Sequence, residues 1–189
     1  MNESTRLLYK CIEGRYVKVT WSHKIQESQG DIYLEKSKCI KNIMCWLSVL
    51  TTGSALSSML SFVDVDPQII YSITACLAVI LSYFTIRYKD NQLEMKAKEN
   101  KDFAAKLHNL RNKYESLMTD ICAGLLNDAE IVAQRNNLSN EENLLYSDNA
   151  PYTSSSAVKR ANKALKIKKE STTEEDEIDA IVPTDLIVH

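Results

Sequence analysis

Two uncharged apolar runs stand nearly back to back in this chain, Ile43 to Val63 and Ile69 to Ile86, separated only by Asp64-Val65-Asp66-Pro67-Gln68. At about 1.5 Å of rise per helical residue they reach roughly 31 and 27 Å, against about 30 Å of bilayer hydrocarbon. A charged side chain at mid-bilayer costs on the order of 3 kcal/mol, and neither run contains one. The pattern therefore predicts a helical hairpin that spans a membrane twice. A five-residue connection leaves no room for a folded domain on the far side.

Charge sets the expected orientation. Lys36, Lys38 and Lys41 precede the first run, Arg87 and Lys89 follow the second, and the connecting loop carries only acids. The positive-inside rule places both termini in the cytoplasm. The first forty residues are polar and mixed in charge, unlike a cleavable secretory signal, so the first span acts as its own insertion signal. Mean hydropathy of -0.26 resembles that of a soluble protein only because two segments of opposite character average out. A formal net charge of -2, with basic clustering confined to Lys166 to Lys169, argues against direct nucleic-acid binding.

The sequence reads as all-α: a pre-span helix, the two-helix transmembrane hairpin, a long cytosolic helix continuing from the second span, and a short C-terminal helix. Residues 1–41 form the cytosolic N-terminal segment, 42–86 the hairpin, 87–167 a cytosolic helical region and 168–189 a disordered acidic tail. Within the first segment, residues 5–13 predict a short helix, Tyr16 to Thr20 an extended piece, and Ser22 to Lys41 a polar helix entering the first span. After Ile86 no Gly or Pro occurs until Gly124. Glu94 with Lys98 and Asp102 with Lys106 stand in the favourable acid-first order four apart. One helix is thus expected from the second span to Ile121. Leu125 to Arg135 extends it loosely, Asn136-Asn137 ends it, and Ser139 with Glu142 has the capping-box spacing that opens a further turn. Thr153 to Ser156 caps a last helix from Ala157 to about Ile167, expected to dock on the long one.

Phe103, Leu107, Leu110, Tyr114, Leu117 and Ile121 recur at spacings of 4, 3, 4, 3 and 4, a heptad seam over somewhat more than two repeats. Two uses fit it: packing on the N-terminal helix of the same chain, or self-association as a coiled coil. In the first span Ser48, Thr51, Ser54, Ser58 and Ser61 recur at 3, 3, 4 and 3, which puts five hydroxyls on one helical face. That face suits close packing of small residues between membrane helices, or a water-accessible pore wall built from several copies. Ser72, Ala75, Ser82 and Thr85 repeat the pattern faintly in the second span. Asp64 and Asp66 either mark the loop or form an acidic ring at the outer mouth of such a pore, which would favour cations.

Catalytic chemistry is not suggested. The five cysteines are dispersed with no CxxC pair and read as free thiols, with palmitoylation near Cys39 or a redox role as the minor alternatives. His23, His108 and His189 lack a partner at metal-ligand or triad spacing, and the four glycines form no phosphate-binding loop. The expectation is a non-enzyme with no cofactor and no metal.

The layout of a polar pre-span helix, two spans with a minimal loop, a long helix through Phe103, Leu110 and Tyr114, and a late Ala150-Pro151-x-Thr153 before Ala157 and Ala161 resembles the SLATT domain family. Residues 5–167 carry the likeness. These are two-transmembrane effectors of bacterial conflict systems, associated with SMODS nucleotidyltransferases, SLOG proteins or reverse transcriptases. Where family members carry Thr with an Arg shortly after it ahead of the first span, this chain has Thr20 and Lys24. The resemblance implies a homo-oligomeric, pore-forming or membrane-perturbing antiviral effector, triggered by a nucleotide-sensing or reverse-transcriptase partner, whose opening depolarises the cell. A passive membrane anchor that holds a cytosolic partner, or a holin-like phage protein, would share the same two spans.

Overall fold

A computed structural model describes residues 3–60, 66–147 and 150–166; the side chains of residues 57–60 and 67 are outside that description. Five helices follow one another: α1 (Glu3–Leu60), α2 (Pro67–Asn91), α3 (Leu93–Cys122), α4 (Asp128–Ser147) and α5 (Ser155–Lys166). No strand occurs among the described residues. The acidic tail expected at 168–189 lies outside them.

The chain divides into two compact units, one of residues 1–29 with 100–189 and the other Gly30–Glu99. The first has a hydrophobic core built from three helices. Ile12 and Val19 of α1, Phe103, Leu107, Leu110, Tyr114, Leu117 and Ile121 of α3, and Ile131 of α4 are all buried together. Leu8, Tyr16, Leu138 and Leu145 pack around them. Full burial of such side chains contributes about 1.5–3 kcal/mol each. The heptad seam read from the sequence is therefore filled from within the chain, by the N-terminal helix and α4. Packing wins because the positions opposite it on α1 and α4, Ile12 to Val19 and Ile131 to Leu138 to Leu145, keep the same sevenfold spacing.

Three local expectations are corrected. Tyr16 to Thr20 is helical, not extended: α1 is a single helix of 58 residues. Tyr16 and Val19 belong to its core-facing row, and the Thr20 hydroxyl donates to the Tyr16 carbonyl at 2.8 Å, so tertiary burial overrides the weak β preference of Tyr-Val-Lys-Val-Thr. Asn136 to Ser139 is helical too. The acid expected in a cap at Ser139, Glu142, instead accepts from the Arg15 guanidinium and the Tyr114 hydroxyl, both at 3.0 Å.

The break falls earlier, at Gly124. There φ is +70°, and the Leu125 amide reaches the Asp120 carbonyl at 3.0 Å in a Schellman arrangement that only a residue tolerant of left-handed backbone closes without strain. Asn127 then opens α4. Its Oδ1 accepts from the amides of Ala129 and Glu130 at 3.1 and 3.0 Å, while Glu130 Oε2 accepts from the Asn127 amide at 2.8 Å. That reciprocal pair is the capping box of this helix.

The third correction concerns the docking of α5. The expected partner was the long helix; the polar ties run to α1. Gln29 Oε1 accepts from both the amide and the hydroxyl of Ser154, at 2.8 and 2.7 Å, and Gln26 donates to the Pro151 carbonyl at 3.2 Å. At the other end the Lys166 ammonium lies 5.8 Å from the centre of the Trp21 ring. These contacts run antiparallel along α1, and Ala157, Ala161 and Ala164 are buried on the inner face of α5.

Candidate functional site

The second unit contains the two helices long and apolar enough to cross a membrane, and the apolar windows of both are unburied. In a soluble protein that much exposed apolar surface would aggregate; in a bilayer it is solvated by acyl chains. Trp46 and Val79 are each 70% exposed, and Ile69, Tyr71, Ile73, Tyr83 and Ile86 are exposed with them.

The hairpin closes through a seam of its own. On α1 the less exposed positions are Ile40, Met44, Leu47, Thr51 and Ser54; on α2 they are Ile70, Thr74, Leu77, Leu81, Phe84 and Tyr88. Both rows alternate steps of three and four, the spacing of a left-handed helix pair. One hydrogen bond crosses it inside the apolar region, from the Thr74 hydroxyl to Ser54 Oγ at 2.8 Å. Such bonds between membrane helices contribute about 0.6 kcal/mol each.

This geometry divides the expected hydroxyl stripe. Thr51 and Ser54 lie in the seam and also donate to the carbonyls of Leu47 and of Thr51 itself, at 2.7 and 2.9 Å. Ser48 is exposed and donates to the Met44 carbonyl at 2.9 Å. The Ser58 side chain, Ser61 and Asp64 lie outside the described residues. The fainter row on α2 also points away from α1: Ser72, Ala75, Ser82 and Thr85 are all exposed. Its three hydroxyls donate to the carbonyls of Gln68, Ala78 and Leu81, so they are satisfied without a partner helix.

Asp66 begins α2. Its carboxylate accepts from the Gln68 amide at 2.9 Å, its carbonyl from the Ile69 amide at 3.0 Å, and Pro67 occupies the first helical turn.

At the opposite end of the hairpin lies a polar cluster that no spacing or motif announces. Ser37, 1% exposed, bonds to the Tyr88 hydroxyl at 3.1 Å and donates to Glu94 Oε1 at 3.0 Å. Lys41 donates to the same carboxylate oxygen, and its ammonium lies 5.7 Å from the centre of the Tyr88 ring. The hydrogen bonds from Lys41 and then Ser37 hold the Glu94 carboxyl below the usual carboxylate range, and those that Lys41 donates to Glu94 and Tyr88 raise its ammonium. Between Tyr88 and Glu94 the chain passes through Gln92, a non-glycine residue in the left-handed region at φ 47° and ψ 40°. Gln92 ends α2, and its carbonyl accepts the first bond of α3 from the Lys96 amide at 3.0 Å. The long helix α3 thus continues from the second span with one residue out of helical conformation.

Described cysteines are all free, and no group of three or more His, Cys, Asp or Glu side chains is placed to hold a metal among the described residues. Comparison with curated proteins finds no match, and comparison with solved structures finds none. The profile of the SMODS and SLOG-associating two-transmembrane effector domains, family 4, matches residues 8–177, nine-tenths of the chain, and the protein belongs to that family.

Proposed function

We propose that this two-transmembrane effector domain acts by self-assembly in the inner membrane, with both termini cytoplasmic, to make the membrane leaky when a partner triggers it. The observation that carries the reading is the division of hydroxyls in the hairpin. Three, on Thr51, Ser54 and Thr74, are used up in the seam, while Ser48 on α1 and Ser72, Ser82 and Thr85 on α2 remain on the outer surface of an otherwise apolar pair. One hairpin cannot enclose a conduit. Several can, because small residues permit close helix approach and their hydroxyls supply a wettable wall. Asp66, held at the start of α2, and Asp64 would sit at its outer mouth and favour cations. The partner class consistent with the family's description is a nucleotide-synthesising or nucleotide-sensing protein acting on the cytosolic helices.

Induced expression in bacteria, followed by growth and dye uptake, and ion flux from liposomes with purified protein test the reading. Expression should arrest growth and admit dye, and Ser48→Leu with Ser82→Leu should abolish both while the protein still inserts. Full toxicity in those variants removes the exposed hydroxyls from the path. Membrane insertion with no flux under any trigger supports a passive anchor instead.

A further inference from the structure

Away from the hairpin, His23 of α1 and His108 of α3 meet in the first unit with ring centres 5.4 Å apart and planes tilted by 44°. Neither ring is part of the apolar core. They line an open cleft of about 320 Å³ together with Glu27, Lys101, Ala104, Ala105 and Asn109. The surroundings are unfavourable to a second positive charge. Lys24 and Glu27 stand on the same helix as His23, and Lys101, His108 and Arg111 on the facing one. The one acid among them, Glu27, is paired with Lys24 at 2.8 Å. Buried His23 Nδ1 has no hydrogen-bond partner, nor has the buried Nε of Arg111. A proton placed on His23 would therefore gain no acceptor, while it would face a second imidazole and a guanidinium across the α1–α3 contact.

We propose that the His23–His108 pair is a proton-binding site whose occupation loosens α1 from α3, so that acidification opens the cytosolic bundle. Charge repulsion between the facing rings acts directly on the α1–α3 contact of the first unit, and the cleft gives solvent protons direct access. Burial, followed by His108, Arg111 and Lys24, holds His23 below the ordinary imidazole range against the opposing pull of Glu27. The unfolded or opened state consequently binds more protons than the closed one as pH falls below about 6.5. Stability contributed by neutral His23 is fully present above that pH. It declines as pH drops through it, and levels off below the closed-state value of His23.

Hydrogen–deuterium exchange on the full chain in lipid nanodiscs, between about pH 7.5 and about pH 5.5 and corrected for intrinsic exchange, reads this directly. Opening of residues 3–29 and 100–122 should rise by up to about tenfold per pH unit below 6.5 in the native protein. It should lose that dependence in His23→Gln and weaken it in His108→Gln. Equal pH response in native and His23→Gln protein overturns the proposal, as does protection that does not change with pH. Should His23→Gln fail to fold, the carbon-13 resonance of His23 in the native chain decides. A midpoint below that of a free imidazole supports the site, and one at or above it refutes it.

Discussion

Ser37 and Glu94, 57 positions apart, are joined at 3.0 Å where the pre-span part of α1 meets the start of α3, and Lys41 reaches the same carboxylate. The serine is nearly inaccessible and the acid is exposed, so the pair combines a desolvated donor with a solvated acceptor. Ser37→Ala should lower stability by about 1 kcal/mol, the usual net worth of a buried hydrogen bond. Denaturant unfolding in detergent should show it as a reduced midpoint at constant slope. Because Glu94 is depressed in the folded state, its contribution is present above the ordinary carboxylate range and is lost as pH falls through its folded value. Glu94→Gln should remove that acid-side dependence.

Tyr114 is fully buried and is pushed up to about 12, first by burial and then by the charge and hydrogen bond of Glu142, against the pull of Arg15. A raised phenol stabilises the fold below the unfolded tyrosine value near 10 and stops doing so as pH climbs toward the folded value. Ultraviolet titration of the nine tyrosines should show Tyr114 as a late component, beyond the smaller delay that burial and Cys122 impose on Tyr9, with unfolding close behind. Tyr114→Phe should erase the late component and cost about 1 kcal/mol, since Glu142 keeps Arg15 as a partner.

Leu107, with no exposed surface, lies mid-seam between α1 and α4. Leu107→Ala should cost about 2–5 kcal/mol through lost burial and the cavity left behind. Leu144, 70% exposed one residue before Leu145 of the core margin, should tolerate alanine within about 0.5 kcal/mol. Equal effects at the two positions would contradict the assignment of the core.

Gln92 occupies a backbone region that costs an ordinary residue about 1 kcal/mol and glycine almost nothing. Gln92→Gly should therefore leave stability unchanged or raise it slightly, whereas Gln92→Ala gains nothing. Thermal unfolding of the two variants side by side makes the comparison.

Much of this was legible in the residues because apolar spacing survives translation into packing. The hairpin and the Phe103 to Ile121 seam announce themselves by period, whereas the helix-forming residues beyond Gly124 moved the expected end of the long helix to Asn136-Asn137. What stayed hidden was polar. The inward row of α1 passes from Ile12 and Val19 to His23, Gln26, Gln29 and Ser37, and a buried glutamine or serine looks like a surface residue until its partner is known. The break at Gln92 carries no glycine, proline or asparagine at the left-handed position, so composition predicts an unbroken helix there. Capping spacing misled at Ser139 because Glu142 had a better ligand in Arg15, while the cap that does form, Asn127 with Glu130, stands where periodicity only loosened. Among the hydroxyls of the first span, spacing found the face but could not apportion it, since Thr51 and Ser54 turn to α2 and Ser48 does not.

A straight rod would carry any twist of the second span undiminished into α3. The single left-handed residue at Gln92 interrupts that rod, so the backbone alone does not make α2 and α3 one element. Ser37 closes the gap from α1, bonded on one side to Tyr88 of α2 and on the other to Glu94 of α3, so continuity across the joint depends on side chains that a single substitution removes.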